Sequence, residues 1–461
     1  MIRIDEFAGR NVAVLGLGRT GLAAAKSLIA GGANVIAWDD HQAGRDAALA
    51  ADIPVSDITR RDLSDLAALV LSPGIAYRFP APHHVVSLAQ ACKVPVISDV
   101  ELFARASNRL PDSQRPKVVG ITGTNGKSTT TALITHILQA AHLDAHSGGN
   151  IGRACLDLPA FHRGQVHVLE LSSYQLETTH SLRCDVAVLL NISPDHLDRH
   201  GGMENYVLAK TGIFANQTKA DMAVIGVDDD LASAMVLELD EKSSALCAIS
   251  SRRALGEGVY VSGAKLVDTR GGNASIVADL CQAPGLHGAH NWQNAAAAYV
   301  VARHLGVSAN NIAKGLYSFA GLAHRMQSLG HKHGILFVND SKATNAKAAA
   351  QALATYPDIY WIAGGQSKDD GLQAALEQMG NVRKAYLIGQ AAKTFGQELA
   401  GQCDSQNYKT LERAFAAALA DARNSSAPEP VILLSPACAS FDQFTDFTAR
   451  GDAFCALVDA L

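Results

Sequence analysis

Short apolar runs recur along the chain, each closed by a glycine-bearing or polar turn and followed by a longer amphipathic or alanine-rich stretch. Runs at 11–15, 34–38, 67–71, 118–121, 166–171 and 185–191 predict strands in the first half. Those at 335–339, 359–363, 384–388 and 431–434 predict strands in the last third. Segments 129–141, 203–214 and 287–303 carry the length and composition of helices. Apolar runs with little alternation suit parallel strands buried on both faces, and their alternation with helices predicts doubly wound α/β architecture. The stretch 228–279 shows weak strand signals and turns, and says little about function.

At 461 residues the chain exceeds one ordinary core, so three domains are expected. Residues 105–116 are polar with two prolines and read as a linker. A second boundary falls at Gly321-Leu-Ala-His-Arg325. The expected division is 1–110, 111–322 and 323–461, with a Rossmann-like first domain, a central P-loop-like ATP-binding domain and a Rossmann-like third.

A net charge of -5 offers no general attraction for nucleic acid. Eight cysteines without a Cys-x-x-Cys pair argue for reduced thiols in the cytoplasm, against both a disulfide frame and a zinc site. The charged start is not a signal peptide, and no apolar run approaches the ~20 residues of a membrane span.

The chemistry centres on residues 117–131, where the run at 118–121 enters Gly123-Thr-Asn-Gly-Lys-Ser128 and then the helical segment from Thr129. A strand, a glycine loop and a helix N-terminus make an anion site, because backbone N–H groups and the helix dipole both favour negative charge. Lys127 can reach the outer phosphates and Ser128 can ligate Mg²⁺. The glycine expected five residues before Gly126 is Ile121, a departure from the usual P-loop. Nearer the start, Gly16, Gly18 and Gly21 form Gly-x-Gly-x-x-Gly after a strand, with Asp39 at the end of the next. That is a dinucleotide fingerprint, so a nicotinamide dehydrogenase competes; yet a UDP-sugar diphosphate would satisfy the same loop. Ser72-Pro-Gly-Ile75 forms a second loop at a strand end, whereas His83-His84 reads as surface.

In the central region, Ser147-Gly-Gly-Asn-Ile-Gly152 predicts another glycine turn, and Glu170 interrupts a buried strand. A buried carboxylate needs a partner, either Mg²⁺ or the Ser172-Ser173 turn. His196, in Asp-His-Leu-Asp-Arg, is equally a ligand or a loop histidine, and Lys210 on spacing alone is a solvent-exposed helix lysine. Asn291 and Asn294 share one face near a helix start.

Gly-Thr-Asn-Gly-Lys-Ser, Leu-Glu-Leu-Ser-Ser-Tyr-Gln-Leu-Glu177 and Asp-His-Leu-Asp-Arg together resemble the Mur ligases, the ATP-dependent amide-bond enzymes of peptidoglycan synthesis. Asn-Asp-Ser-Lys-Ala-Thr-Asn345, Gly-Gly-Gln-Ser-Lys368 and Leu-Ser-Pro-Ala-Cys-Ala-Ser-Phe-Asp-Gln-Phe444 are similar to the D-glutamate-adding branch; Ser367 stands where that branch often has glycine. The resemblance implies transfer of D-glutamate to UDP-N-acetylmuramoyl-L-alanine through an acyl phosphate, with ATP and Mg²⁺ at two sites, by a cytoplasmic monomer. It implies ATP contacts at Gly123, Thr124, Asn125, Gly126, Lys127, Ser128, Thr129, Asn291, Asn294, Arg325 and Asp340. The UDP-sugar falls to Arg19, Thr20, Asp39, Ser72, Gly74, Ile75 and Asn150, and D-glutamate to Lys342, Thr344, Lys368, Ser440 and Phe447. Metal falls to Ser128, Glu170, His196 and a carbamylated Lys210; Lys127, Glu170, His196 and Lys210 carry the catalysis. A catalytically silent nucleotide-binding scaffold is the remaining alternative.

Overall fold

A computed structural model describes the chain apart from residues 241–244, 287 and 367–370, so Lys368 lies outside the described residues. The described residues fall into two compact units, Met1–Ala283 with Ala289–Tyr317, and Pro284–Gly288 with Ser318–Leu461.

In the first unit, β1 (Asn11–Leu15), β2 (Asn34–Trp38), β3 (Leu66–Leu71) and β4 (Val96–Ile97) form a parallel sheet in the order β2-β1-β3-β4. From β1 the chain steps outward to β2 and then back past β1 to β3. The loops after β1 and β3 therefore open together at the point where strand order reverses, the usual ligand crevice of such sheets. Val12 and Val14 enter the core shared with Ala24 and Leu28, while Ala13 and Leu15 enter the opposite core with Val85 and Val86. This is the two-residue alternation of a strand buried on both faces.

The second sheet of this unit contains β5 (Lys117–Thr122), β6 (Asp144–Gly149), β7 (Gln165–Glu170), β8 (Val186–Leu189) and β9 (Met222–Gly226). It continues through β10 (Ala245–Ser250), β11 (Val259–Ser262), β12 (Lys265–Asp268) and β13 (Ser275–Asp279), in the order β13-β12-β11-β10-β9-β8-β5-β7-β6. Here too strand order reverses beside β5, which lies between β7 and β8. The weak signals of 228–279 thus become a helix, Asp230–Asp240, then β10 and β11 in parallel pairing and an antiparallel β11-β12-β13 meander at one end of the sheet.

Two local expectations change. The glycine turn expected at 147–152 is half strand, because Gly148 and Gly149 pair with Leu169 and Glu170. The linker expected at 105–116 begins late, since the helix Asp99–Asn108 runs through Arg105. That helix is anchored from its own first turn. Ser98 Oγ accepts the Glu101 N–H at 3.0 Å, and the buried Glu101 accepts backbone N–H groups of His180 at 2.7 Å and Ser181 at 2.8 Å.

In the second unit, β14 (Gln327–Lys332), β15 (Ile335–Asn339), β16 (Ile359–Gly364), β17 (Val382–Ile388), β18 (Ser405–Lys409) and β19 (Val431–Leu434) form a sheet ordered β14-β15-β19-β16-β17-β18. Only β14 is antiparallel among these pairings. Trp361 and Leu433 face one core, Tyr360 and Ile432 the other. Because β19 inserts between β15 and β16, the loops leaving these three strands emerge side by side. No helix among the described residues is long and apolar enough to cross a membrane.

Candidate functional site

The loop after β5 is built as expected. The helix Lys127–Ala140 starts directly after Gly126, which sits in the left-handed region at φ +85°. A Cβ there would also lie 2.4 Å from Asn294 Oδ1, so glycine is required twice over. Asn294 accepts from Thr130 Oγ1 at 3.1 Å and donates to Asn291 Oδ1 at 3.0 Å, which places both asparagines against the loop. On the other side, the Asn125 N–H donates to Asn191 Oδ1 at 2.8 Å. Thr124 donates to Ser193 O, and its hydroxyl also meets the Tyr206 hydroxyl at 3.0 Å. Ser128 and Thr129 occupy the first helical turn, half-buried and buried respectively.

Two lysines converge on this loop. Lys127 Nζ donates to the carbonyls of Gly123 and Thr124, each at 2.8 Å, and Lys210 Nζ donates to the same Gly123 carbonyl at 2.7 Å. The solvent-exposed placement expected for Lys210 is wrong: it is 1 % exposed. Its helix, Met203–Thr211, turns it inward, and its ammonium lies 4.6 Å from the centre of the Tyr206 ring. Burial, then the neighbouring charge of Lys127, lowers its pKa to about 7.

Glu170, at the end of β7, is 2 % exposed. Its Oε1 accepts from Asn150 Nδ2 at 2.7 Å, while its buried Oε2 has no protein partner. It does not cap the following turn, because Gln175 Oε1 accepts the Ser172 N–H in a capping box. A buried carboxylate oxygen left open beside a phosphate-type loop fits a cation. Among the described residues no cluster of three or more His, Cys, Asp or Glu could hold a metal by itself. Mg²⁺, which takes one or two protein oxygens and completes its shell with water and phosphate, would fit such an oxygen. His196 is half-exposed in a left-handed turn, packs on the Tyr174 ring and faces Asp195 at 3.5 Å.

At the first sheet's switch point, Ser72 Oγ donates to Gly16 O at 2.8 Å and joins the two loops. The Asp39 carboxylate accepts the Leu17 N–H at 2.6 Å and the His41 N–H at 2.9 Å. It braces the loop after β1 as well as its own after β2, a different use from the ribose contact of a dinucleotide fingerprint. Arg19 and Thr20 open the following helix, with Gly74 exposed across from them. Arg19 reaches Gly152 O at 2.5 Å, next to Asn150, and Arg199 reaches Ile75 O at 2.7 Å. The loops of the two sheets in this unit are thereby tied together.

In the second unit, Asp340 accepts from Ser435 Oγ at 2.7 Å and from the Met326 N–H at 3.1 Å; burial raises its pKa to about 7, with Arg325 pulling the other way. Lys342 Nζ sits 3.9 Å from the centre of the Phe447 ring. Thr344 is half-buried and Ser440 buried on the neighbouring loops. Three domain comparisons match in chain order: the Mur ligase MurD-like N-terminal domain over 10–98, the Mur ligase middle domain over 121–302, and the glutamate ligase domain of Mur ligases over 324–438. The UDP-N-acetylmuramoylalanine--D-glutamate ligase of Caulobacter sp. (strain K31) is 52% identical over 100% of this chain and 98% of its own.

The chain belongs to the Mur ligases.

The same-named enzyme of Phenylobacterium zucineum (strain HLK1) is 51% identical over 100% of this chain and 98% of that protein. The crystal structure of UDP-N-acetylmuramate-alanine ligase MurC from Thermotoga maritima shares the fold, with a TM-score of 0.58 at 16% identity over 98% of this chain and 99% of that one. In this Mur ligase, sequence reasoning passed over three residues that hold the loops. Asn191 braces Asn125, and Tyr206 bonds Thr124 while packing on Lys210. Arg450, 1 % exposed, donates to Ser341 O at 2.9 Å and Cys438 O at 3.0 Å, stitching the loops after β15 and β19. Its partners are carbonyls and a hydroxyl, and burial lowers its pKa to about 10. Nothing in its helical spacing marks it. Its role comes from strands that are far apart in sequence.

Proposed function

We propose that the chain joins D-glutamate to UDP-N-acetylmuramoyl-L-alanine at the expense of ATP, in peptidoglycan precursor synthesis. The observation that carries this reading is the Lys127 amine held by the Gly123 and Thr124 carbonyls at the N-terminus of the helix from Lys127. That concentrates positive potential where a transferring phosphoryl group would need it.

A carboxylate oxygen of the muramoyl-alanine attacks the γ-phosphorus of ATP, and the bond to the ADP oxygen breaks. The D-glutamate nitrogen then attacks the resulting acyl carbon, phosphate leaves with the former carboxylate oxygen, and the nitrogen gives up a proton. Lys127 and the loop N–H groups orient and neutralise the phosphates, the dominant demand of phosphoryl transfer. Glu170 and Ser128 would hold Mg²⁺, which supplies charge neutralisation at the phosphate oxygens. His196 and Lys210 are proposed at a second metal position, with Lys210 as a carbamate. Asn291 and Asn294 would lie beside the nucleotide. We also assign ATP contacts to Arg325 and Asp340.

Arg19, Thr20, Asp39, Ser72, Gly74, Ile75 and Asn150 would take the UDP-sugar. Lys342, Thr344, Lys368, Ser440 and Phe447 would take D-glutamate, whose two carboxylates call for the cations among them. The unpaired cysteines among the described residues accord with a reducing cytoplasmic setting, and we read the enzyme as a monomer.

The decisive test is phosphate release from ATP in the presence of UDP-N-acetylmuramoyl-L-alanine. D-Glutamate should drive turnover, while L-glutamate and no amino acid should leave only background. Release independent of amino acid, or its absence with D-glutamate, would overturn the reading. The UDP-substrate should also raise the melting temperature, and NADH should not. The reverse pattern would reinstate a dehydrogenase.

A further inference from the structure

In the second unit, the end of β17 and the turn after Ser440 are joined by a contact that no role above requires. The Gln390 backbone N–H donates to Asp442 Oδ2 at 2.9 Å. Gly389, at φ +68°, passes directly beneath this carboxylate: a Cβ there would lie 2.2 Å from Asp442 Oδ2 and 2.8 Å from Gly365 Cα. A second bond runs parallel, from Gln443 Nε2 to Lys409 O at 2.8 Å, and Gly389 N–H donates to the same Lys409 carbonyl at 3.1 Å. Between Asp442 and Ser440 the chain is a tight turn, in which Ser440 O accepts the N–H of Gln443 at 3.1 Å and of Phe444 at 2.8 Å. On the far side of Gly389, Gly365 O accepts the Ala391 N–H at 2.9 Å, and the Gln366 N–H donates to Ala439 O at 2.9 Å. Three strand-end segments, starting at Gly364, Ile388 and Leu434, are thus clamped around one glycine.

We infer that Asp442 is a positioning residue for the amino-acid pocket, fixing the turn that carries Ser440 against the backbone of Gly365 and Gln366. The inference rests on the D-glutamate reading of Ser440 given above. Asp442 acts through hydrogen-bond geometry and needs no contact with substrate. Its Oδ2 binds Gln390, and Gln390 and Gly389 set where the Gly365 backbone lies. Its Oδ1 is buried without a protein partner, so its fixed position comes from the Gln390 bond and the packing on Gly389. A pocket for a flexible dicarboxylate depends on the spacing of its donors. Misplacement by about 1 Å costs on the order of tenfold to a hundredfold in such sites.

The test uses the full chain and steady-state kinetics with each substrate varied in turn. Asp442→Ala should raise the KM for D-glutamate about tenfold, while the KM for ATP and kcat stay within about threefold. Gln443→Ala should shift the same constant in the same direction by less. Asp442→Asn keeps an oxygen acceptor for Gln390 and should restore D-glutamate binding to within about threefold of wild type. An unchanged D-glutamate KM in Asp442→Ala would overturn the inference. So would parallel losses in ATP binding and kcat, which signal general damage, or an Asp442→Asn enzyme as weak as Asp442→Ala, which signals a charge effect. Ser440→Ala separates the layers. If it leaves the D-glutamate KM unchanged, the pocket reading fails and this inference with it; if it raises that KM while Asp442→Ala does not, only the positioning role fails.

Discussion

Lys210→Arg is expected to be nearly inactive, with kcat reduced by more than about a hundredfold. Lys210 is 1 % exposed and its pKa is lowered to about 7 from the ordinary 10.5, first by burial and then by Lys127. Near pH 7 about half of the side chain is therefore a neutral amine, against roughly one part in three thousand for an ordinary lysine. A neutral amine can attack CO₂: a nitrogen–carbon bond forms as one C=O π pair moves onto oxygen, the nitrogen loses a proton, and the amine becomes a carboxylate-like anion. Such an anion suits a magnesium-bearing phosphate site, where a retained ammonium would oppose the metal. Arginine stays protonated at any accessible pH, cannot make this bond, and adds bulk at a buried position. Lys210→Ala should regain part of its activity with a small carboxylic acid such as acetate. The folded-state pKa is depressed, so carbamate formation should fall as pH drops below about 7 and rise above it. Steady-state assays with and without added bicarbonate, and ¹³C spectra after labelling with bicarbonate, read these effects directly. An active Lys210→Arg enzyme would end the carbamate proposal.

Lys127→Ala should lower kcat by about a hundredfold or more, by analogy with the loss of a single transition-state donor. Folding should change by about 1 kcal/mol or less, because the Gly123 carbonyl keeps its bond from Lys210 and the helix keeps its apolar core. Thermal melting and phosphate release measured on the same preparation separate the two. A further consequence follows from the shared carbonyl: without the Lys127 charge, the Lys210 pKa should rise toward its ordinary value. The variant should then need a higher pH or more bicarbonate for whatever activity remains. Turnover within a few-fold of wild type would remove Lys127 from the phosphate site.

Much of this architecture was legible in the chain because its signals are local. The strands Ile335–Asn339 and Val431–Leu434 end where their apolar runs end, and the helix from Lys127 begins where the glycine loop ends. Parallel strands buried on both faces leave unbroken apolar runs, and a phosphate loop needs glycine, lysine and a hydroxyl within a few residues. Expectations erred where non-local pairing overrides composition. Gly148 and Gly149 read as turn residues, yet they pair with β7 in a nine-stranded sheet and extend β6. The Arg105 segment read as linker, yet the Glu101 beside it binds the backbone of His180 and Ser181, some eighty residues on.

The sequence by itself determined that the chain is α/β, that it carries a phosphate loop, and that its motifs are those of the Mur ligases. It contained the residue types of the site but not their environments. Lys210 sits on a helix of ordinary composition, and only the packing of Tyr206 and the Gly123 loop around it turns a routine lysine into a buried amine with pKa near 7. Glu170 needed the placement of Asn150 and Gln175 before one of its oxygens could be seen to lack a protein partner. Arg450 acquires its role where β19 inserts between β15 and β16, bringing together segments about a hundred residues apart, and Asp442 acquires its role where the turn after β19 meets the end of β17, about fifty residues away. Burial and hydrogen-bond partners are properties of pairs of segments, so these are settled only once the strands have found their order.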